Sequence, residues 1–323
     1  MTMHQSLTTP PDFIIIGAQK SGTSSLHQIL ARHPDVFIPE REIFFFDVDD
    51  REQHPDFIVR RGVAHDFDAD FPRYARWYAS FFQDAAAGQR LGEDSTSYLA
   101  STVAPERIAR LCPNVKLIAL LRDPVARAYS HYWHDLARGR HTQTFERALV
   151  ETPAMLISRG CYLEQLQRYR ALFEEDRLLV LIFEEFREDP RRHSQQVCEF
   201  LGLPPLADEA FTLTRFNAAR VPRHPELRRW VNRAFPALMR KTYRGPVPST
   251  PGPLPDGWRE RLARHPLGRQ LQALTETSRA KRRYPPMPES ARRRLGNIYR
   301  ERNAGLGELL GRDDLGQLWP HMA

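Results

Sequence analysis

Short apolar runs alternate with amphipathic stretches over the first two thirds of the chain. Residues 13–16, 116–122 and 177–183 are typical of strands that are buried on both faces of a parallel sheet. Helical spacing of apolar residues predicts helices around these strands, at residues 26–30, 74–82, 105–111, 124 to about 138, 157–173 and 190–201. Strands that alternate with helices predict an α/β fold in which helices flank a central, mainly parallel sheet.

The regular pattern fades between residues 203 and 277, where prolines are frequent. Residues 246–255 read PVPSTPGPLP, which is typical of a linker or loop. Helical spacing returns at residues 289–310 and predicts a C-terminal helix that packs back on the core. We therefore expect a single domain over residues 1–323, with a variable helical or irregular insertion at about residues 203–280.

Composition is that of a soluble globular protein, with 41% hydrophobic and 27% charged residues. The net charge of +7 and the isoelectric point near 9.5 favour acidic partners. Arginines concentrate at residues 215–244, with apolar residues between them. The sequence leaves four interpretations of this segment open: a basic helix on a membrane surface, a nucleic-acid face, a lid over the substrate, and a solvated helix packed by one stripe.

The three cysteines are too few and too widely spaced for a disulfide framework or a zinc site. The N-terminal sequence MTMHQSLTTPP lacks the charged and then apolar pattern of a signal peptide. No apolar run approaches the roughly 20 residues that span a bilayer. These features predict a cytoplasmic protein without a membrane anchor.

The most informative local pattern is the loop GAQKSGTS at residues 17–24, between the first strand and the first helix. Loop N–H groups and the positive end of the helix dipole converge there, so the loop predicts an anion site. Lys20 adds a full charge, and Thr23 and Ser24 add hydroxyl donors. In a Walker A loop the lysine follows the second glycine, whereas Lys20 precedes Gly22. Lysine is rare among the 47 basic residues, so its position in this loop is informative.

An apolar run, IFFF at residues 43–46, follows Glu40 and Glu42. It is either a buried strand with solvated flanking charges, or the wall of an apolar pocket that holds one carboxylate as a general base. Arg122 ends the second buried strand, and Ser130 lies two turns into the next helix. Both can face the sheet edge that carries the first loop, where ligands of open parallel sheets bind.

Together these motifs resemble those of sulfotransferases that use 3′-phosphoadenosine 5′-phosphosulfate (PAPS). The order G-x-x-K-x-G-T-[ST] resembles their 5′-phosphosulfate loop, and LLRDPVARAYSHY at residues 120–132 resembles their 3′-phosphate motif. RGCYLEQLQRY at residues 159–169 is similar to the family's R-G-x-Y helix. Arg282 and Tyr284 resemble the late basic loop of the heparan-sulfate branch. The likeness covers about residues 12–200 and 281–320.

The resemblance implies a P-loop-NTPase-like sulfotransferase fold, PAPS as the co-substrate and no metal. Lys20 would stabilise the leaving oxygen and Glu42 would be the base. Glu40 is a competitor, and His131 or His134 could serve because another branch of the superfamily uses histidine. The resemblance implies cofactor contacts for Gln19, Lys20, Ser21, Gly22, Thr23, Ser24, Arg122, Ser130, Tyr162, Lys281 and Arg282.

Three positions depart from the family pattern. Phe44 stands where relatives often carry a polar side chain, Asp94 where many carry lysine, and Ala280 where a lysine is usual. We expect a bacterial enzyme for a small-molecule or glycan acceptor, with a carbohydrate or glycolipid as the favoured class.

The alternatives are a hydroxylated natural product or lipid as acceptor, a nucleotide- or polyanion-binding protein without turnover, and a kinase that binds magnesium-ATP. Nucleic acid is not an expected partner. Contact of the basic segment with a membrane surface and the oligomeric state stay open.

Overall fold

Five parallel strands form the centre of the molecule. The computed structural model describes residues 5–50, 52–54, 66–137, 140–211, 222, 224–234 and 284–321. Within these ranges the strands pair in the order β2-β3-β1-β4-β5, and each pair is parallel. The predicted α/β fold with a parallel sheet is therefore confirmed. The strands are β1 (Phe13–Gly17), β2 (Val36–Phe37), β3 (Arg90–Asp94), β4 (Lys116–Leu121) and β5 (Leu178–Ile182).

Helices connect the strands, and further helices come after β5 in the chain. Proline begins α4 and α9, where its missing N–H costs nothing, and Gly202 ends α9 at a left-handed φ of 70°. The helices are α1 (Thr23–Leu30), α2 (Phe71–Ala79), α3 (Ala104–Leu111), α4 (Pro124–Ala137), α5 (Phe145–Glu151), α6 (Pro153–Leu156), α7 (Tyr162–Arg170), α8 (Phe183–Glu188), α9 (Pro190–Leu201), α10 (Pro225–Ala234), α11 (Glu289–Arg302), α12 (Leu306–Leu310) and α13 (Leu315–Leu318).

The apolar run of β1 is continuous because both of its faces are covered. Ile14 and Ile16 belong to the apolar cluster that also contains residues of α2, α3 and α7. Phe13 and Ile15 belong to a second cluster, with residues of α1 and α9. Side chains alternate between the faces of a strand, so neighbouring residues enter different cores. A third cluster joins α4 and α5 to the C-terminal α11.

Two predicted helices are shorter than expected. The helix predicted at residues 157–173 begins only at Tyr162, because Cys161 has a non-helical ψ of 72° after a single 3₁₀ turn. The helix predicted at residues 289–310 is two helices, α11 and α12. Gly305 between them has a φ of 89°, a left-handed conformation that interrupts helices.

The apolar run at residues 43–46 is buried but is not a strand, so that interpretation is wrong. Phe44 has a φ of 57°, which lies in the left-handed region and is incompatible with an extended strand. The three phenylalanines pack in the core as an irregular segment. The physical reason for this conformation lies in the turn after β3, which binds the segment's N–H groups.

Most of the predicted insertion at residues 203–280 lies outside the described residues, as do Lys281 and Arg282. Helix α10 is the described part of the arginine-rich segment. Its Arg228 is buried against α4 and donates to the carbonyl of Leu136 at 3.4 Å and to that of Ala137. Across the described ranges no helix is both long enough and apolar enough to cross a membrane.

Candidate active site

The loop after β1 presents the N-terminus of α1 at the carboxyl edge of the sheet. Helix α1 begins at Thr23, and its N-cap residue Gly22 has no side chain that could cap the first turn. The N–H of Ser25 donates to the Gly22 carbonyl at 2.9 Å, whereas the N–H groups of Thr23 and Ser24 precede the first bond of the helix. Gly22 has a φ of 90°, and a Cβ there would lie 2.7 Å from the ring of Phe183. Only glycine therefore fits this turn. The helix dipole favours negative charge at this terminus, which is what the predicted anion site requires.

Lys20 lies at the tip of this loop in a strained conformation. Its φ of 73° is left-handed, which is uncommon for a residue other than glycine. The guanidinium of Arg122 donates from Nη1 to the Lys20 carbonyl at 2.9 Å and so holds this conformation. The Lys20 Nζ lies 3.2 Å from Nδ1 of His134 on α4. The structure therefore brings Lys20 and Arg122 together, as the sequence predicted from two separate motifs.

Arg122 itself is set by its neighbours at the end of β4. Its guanidinium lies 4.9 Å from the centre of the Phe183 ring. The hydroxyl of Tyr162 donates to the Arg122 carbonyl at 2.9 Å. Burial lowers the pKa of Arg122, but arginine keeps its charge because its ordinary pKa is so high. Tyr162 is fully buried, and its hydroxyl already binds the Arg122 carbonyl. A direct contact between Tyr162 and a cofactor therefore stays a prediction.

Ser130 of α4 lies beside a small aromatic cluster. Its Oγ is 3.4 Å from the hydroxyl of Tyr284, which is the described residue of the late basic loop. The Tyr284 ring stacks on Trp133, with 5.9 Å between centroids and 10° between planes. An aromatic surface next to a serine and an arginine suits a nucleobase or ribose with a phosphate. The predicted 3′-phosphate contacts of Arg122 and Ser130 are compatible with this arrangement.

Glu42 is anchored by the turn that follows β3. Its Oε1 accepts the backbone N–H of Thr96 at 3.1 Å and also the Thr96 hydroxyl. The carbonyl oxygen of Thr96 lies against the loop, so close that a Cβ on Gly17 would come within 3.0 Å of it. Glu42 is half-buried, whereas Glu40 is exposed. The structure therefore favours Glu42 over Glu40 as a carboxylate with a fixed position.

The two histidines differ in their surroundings. His131 is fully buried, and its Nε2 lies 3.2 Å from Oδ2 of Asp135. Burial lowers the pKa of His131 to about 3, so its ring is neutral near neutral pH. His134 is partly exposed and contacts Lys20. His131 is therefore buried in the core against Asp135, while His134 beside the loop stays a candidate base.

Sequence reasoning missed two side-chain networks at this site. Arg159 donates to the side chain of Gln19, and its Nε lies 2.8 Å from Oε1 of Gln53. Asp94 lies with its Oδ2 at 3.4 Å from Nδ1 of His27 on α1. The R-G-x-Y motif was the available signal for Arg159. Nothing in the local sequence pairs His27 with Asp94.

Glu93 at the end of β3 is fully buried, and burial raises its pKa to about 7 despite three hydroxyl donors. The folded protein therefore holds the Glu93 proton more tightly than the unfolded chain. Its contribution to stability is present below about pH 4.5 and is lost as the pH rises through about 7. We expect the difference in free energy of unfolding between wild type and Glu93→Gln to fall by up to about 1.4 kcal/mol per pH unit in this window.

Urea unfolding of both proteins between about pH 4 and about pH 8 measures this difference. The comparison cancels the other titrating groups, which the two proteins share. A difference that stays constant over the whole range would show that Glu93 has an ordinary pKa.

Comparison with known proteins agrees with the geometry. A model described as "Sulfotransferase family" matches residues 11–208. Bifunctional heparan sulfate N-deacetylase/N-sulfotransferase 2 of Homo sapiens is 32% identical over 228 residues, which are 64% of this chain and 23% of that protein. Heparan sulfate glucosamine 3-O-sulfotransferase 3B1 of Mus musculus is 31% identical over 201 residues, 60% of this chain and 46% of that protein. The match thus spans about a quarter and about half of these relatives.

One solved structure covers nearly the whole chain. The crystal structure of a sulfotransferase from Alicyclobacillus acidocaldarius has a TM-score of 0.60 and 23% sequence identity. The match covers 95% of this chain and 98% of that one. At this level of identity the likeness shows the same fold.

Proposed function

The chain belongs to the sulfotransferase family, and we propose that it transfers a sulfuryl group from PAPS to a hydroxyl or amine. The observation that carries this proposal is the hydrogen bond between Arg122 and the Lys20 carbonyl. It joins the loop suited to a 5′-phosphate to the strand end suited to a 3′-phosphate. A nucleotide with both phosphates uses both sites, whereas ATP leaves the second one without a partner.

Two features of the loop fit a phosphate or sulfate. Gly22 at the N-cap of α1 has no side chain to bind the N–H groups of Thr23 and Ser24, so these groups can bind oxygen atoms of a ligand. The Oγ of Ser21 is buried and has no hydrogen-bond partner among the described residues. We propose that Gln19 to Ser24 hold the 5′-phosphosulfate. We propose further that Arg122 and Ser130 hold the 3′-phosphate, and that Lys281 and Arg282, which lie outside the described residues, contact the nucleotide.

The chemistry asks the protein mainly for position and charge. Glu42 would take the proton of the acceptor as the acceptor's oxygen or nitrogen bonds to sulfur. Lys20 would meet the negative charge that develops on the bridging oxygen when its bond to sulfur breaks. The Thr96 donors keep the Glu42 carboxylate in one orientation, which suits a base that must face an incoming hydroxyl.

The acceptor is proposed to be a carbohydrate or glycolipid, because the named relatives act on heparan sulfate. A hydroxylated natural product or lipid is the second candidate. Asp94 stands where the resemblance leads us to expect a lysine, so a negative charge replaces a positive one at the end of β3. This end of the strand lies close to Thr96, which binds Glu42. The replacement favours an acceptor with less negative charge than heparan sulfate.

Transfer from PAPS labelled with radioactive sulfur tests the proposal. The labelled donor is incubated with wild-type protein and a panel of desulfated oligosaccharides, glycolipids and hydroxylated lipids, without added metal. We expect label on at least one carbohydrate-containing acceptor. Label on the lipids alone would select the second candidate. Label on none of the acceptors, together with tight binding of added adenosine 3′,5′-bisphosphate, would favour a nucleotide-binding protein without turnover.

A further inference from the structure

The irregular segment after Glu42 is held by hydroxyl groups of the turn after β3. The Oγ of Ser95 accepts two backbone N–H groups, that of Ile43 at 3.1 Å and that of Phe44 at 2.9 Å. The hydroxyl of Tyr98 accepts the N–H of Phe46 at 3.2 Å. These bonds fix the backbone directly C-terminal to the proposed base.

Glu93 lies behind these hydroxyls and sets their orientation. Its Oε1 accepts the Ser95 hydroxyl at 2.8 Å and the Tyr98 hydroxyl at 2.5 Å, and its Oε2 accepts Tyr78 at 2.7 Å. A serine hydroxyl has one proton and two lone pairs. Because the Ser95 hydroxyl donates its proton in a hydrogen bond to Glu93, both lone pairs of the Ser95 oxygen can face the N–H groups of the segment.

The segment needs such a restraint. Phe44 has a left-handed φ of 57°, a conformation that persists in residues other than glycine only where the surroundings enforce it. Its N–H is one of the two that Ser95 binds, and its ring packs edge-on against His54, with 5.0 Å between centroids. Ser95 therefore acts on the residue of this segment that has a left-handed backbone, two residues from Glu42.

We infer that Ser95 is a positioning residue for sulfuryl transfer, and that its hydroxyl, oriented by Glu93, holds the backbone that aims the Glu42 carboxylate. The inference rests on the proposed function. Ser95 immediately precedes Thr96, whose N–H and hydroxyl bind that carboxylate. One turn thus fixes both the main chain and the side chain of the base. Neither Ser95 nor Glu93 touches the reacting atoms in this scheme.

Ser95→Ala tests the inference against Ser194→Ala, since both serines are fully buried and both changes remove one Oγ. Ser194 lies on α9 and not in the turn after β3. We expect Ser95→Ala to lower kcat by about 10²-fold, because small displacements of a catalytic group cost about that much. The KM for PAPS and the affinity for adenosine 3′,5′-bisphosphate should not change. Hydrogen exchange at residues 43–46 should be faster in Ser95→Ala than in wild type, and should not change in Ser194→Ala.

A pair of Glu93 variants provides the second test. Glu93→Gln keeps an oxygen that can accept the hydrogen bond from the Ser95 hydroxyl, whereas Glu93→Met has similar length and only a weakly accepting thioether sulfur. We expect Glu93→Met to lose kcat to about the same extent as Ser95→Ala, and Glu93→Gln to lose about tenfold less.

The outcomes separate this inference from the proposed function. A wild type that transfers no sulfuryl group overturns the function, and hydrogen exchange at residues 43–46 still tests the restraint. A wild-type rate in Ser95→Ala, equal losses in Ser95→Ala and Ser194→Ala, or unchanged exchange would overturn the positioning role.

Discussion

Lys20→Ala is expected to lower kcat by about 10²- to 10³-fold, the usual cost of removing one group that stabilises charge in the transition state. The Lys20 Nζ is the full positive charge of the loop, and the backbone at Lys20 is held in a left-handed conformation by Arg122. In the proposed mechanism this ammonium group stabilises the charge on the departing bridging oxygen. Steady-state kinetics with saturating PAPS and the acceptor found in the panel measure the effect.

Lys116→Ala is the matched control. Lys116 begins β4, and its Nζ donates to the carbonyl of Phe200, far from the loop in the sequence. Lys20→Arg adds a second comparison, because arginine keeps the charge but presents a planar fork instead of a compact ammonium. We expect Lys116→Ala to keep its turnover and Lys20→Arg to fall between wild type and Lys20→Ala. Equal turnover in Lys20→Ala and Lys116→Ala would remove Lys20 from the mechanism.

Glu42→Gln is expected to lower kcat by about 10²- to 10⁴-fold, as loss of a general base does. Glutamine keeps an oxygen for Thr96, so the segment should stay in place while the carboxylate is lost. The affinity for adenosine 3′,5′-bisphosphate should therefore not change. Single-turnover transfer and calorimetric binding on the same preparation separate the two properties.

Glu40→Gln and His134→Ala control for the other candidate bases. Glu40 is exposed and two residues away, and His134 lies 3.2 Å from the Lys20 Nζ. If Glu42 is the base, Glu40→Gln transfers at nearly the wild-type rate. His134→Ala should lose activity only through the altered surroundings of Lys20. A large loss in Glu40→Gln with normal transfer in Glu42→Gln would assign the base to Glu40.

Three of the five described strands, β1, β4 and β5, and the loop after β1 could be predicted from the sequence because their signals are local. The apolar run at residues 13–16 is typical of a strand that is buried on both faces, and both faces of β1 are covered. The loop at Lys20 follows directly in the chain. Glycine adopts positive φ values more readily than other residues, and Gly17 and Gly22 of the loop both have them. Pattern and geometry agree where the partner groups are neighbours in sequence.

The site's side-chain partners could not be predicted in this way. Thr96 lies 54 residues from Glu42, and Gln19 lies 140 residues from Arg159. No periodicity links such pairs, because only the packed fold brings them together. The segment at residues 43–46 shows the same limit. Its apolar side chains indicate burial, while its left-handed Phe44 depends on N–H bonds to the distant Ser95.

The nucleotide class is tested most directly by calorimetric titration with adenosine 3′,5′-bisphosphate, beside magnesium-ATP. We expect tight binding of the bisphosphate, weak binding of ATP, and loss of at least about tenfold in affinity in Arg122→Ala, because a charge-assisted bond to phosphate is worth about 1.5–3 kcal/mol. Arg110→Ala is the control, since Arg110 is exposed and pairs with Asp68 at 3.0 Å. Preference for magnesium-ATP, or equal binding by wild type and Arg122→Ala, would contradict a PAPS site at this loop.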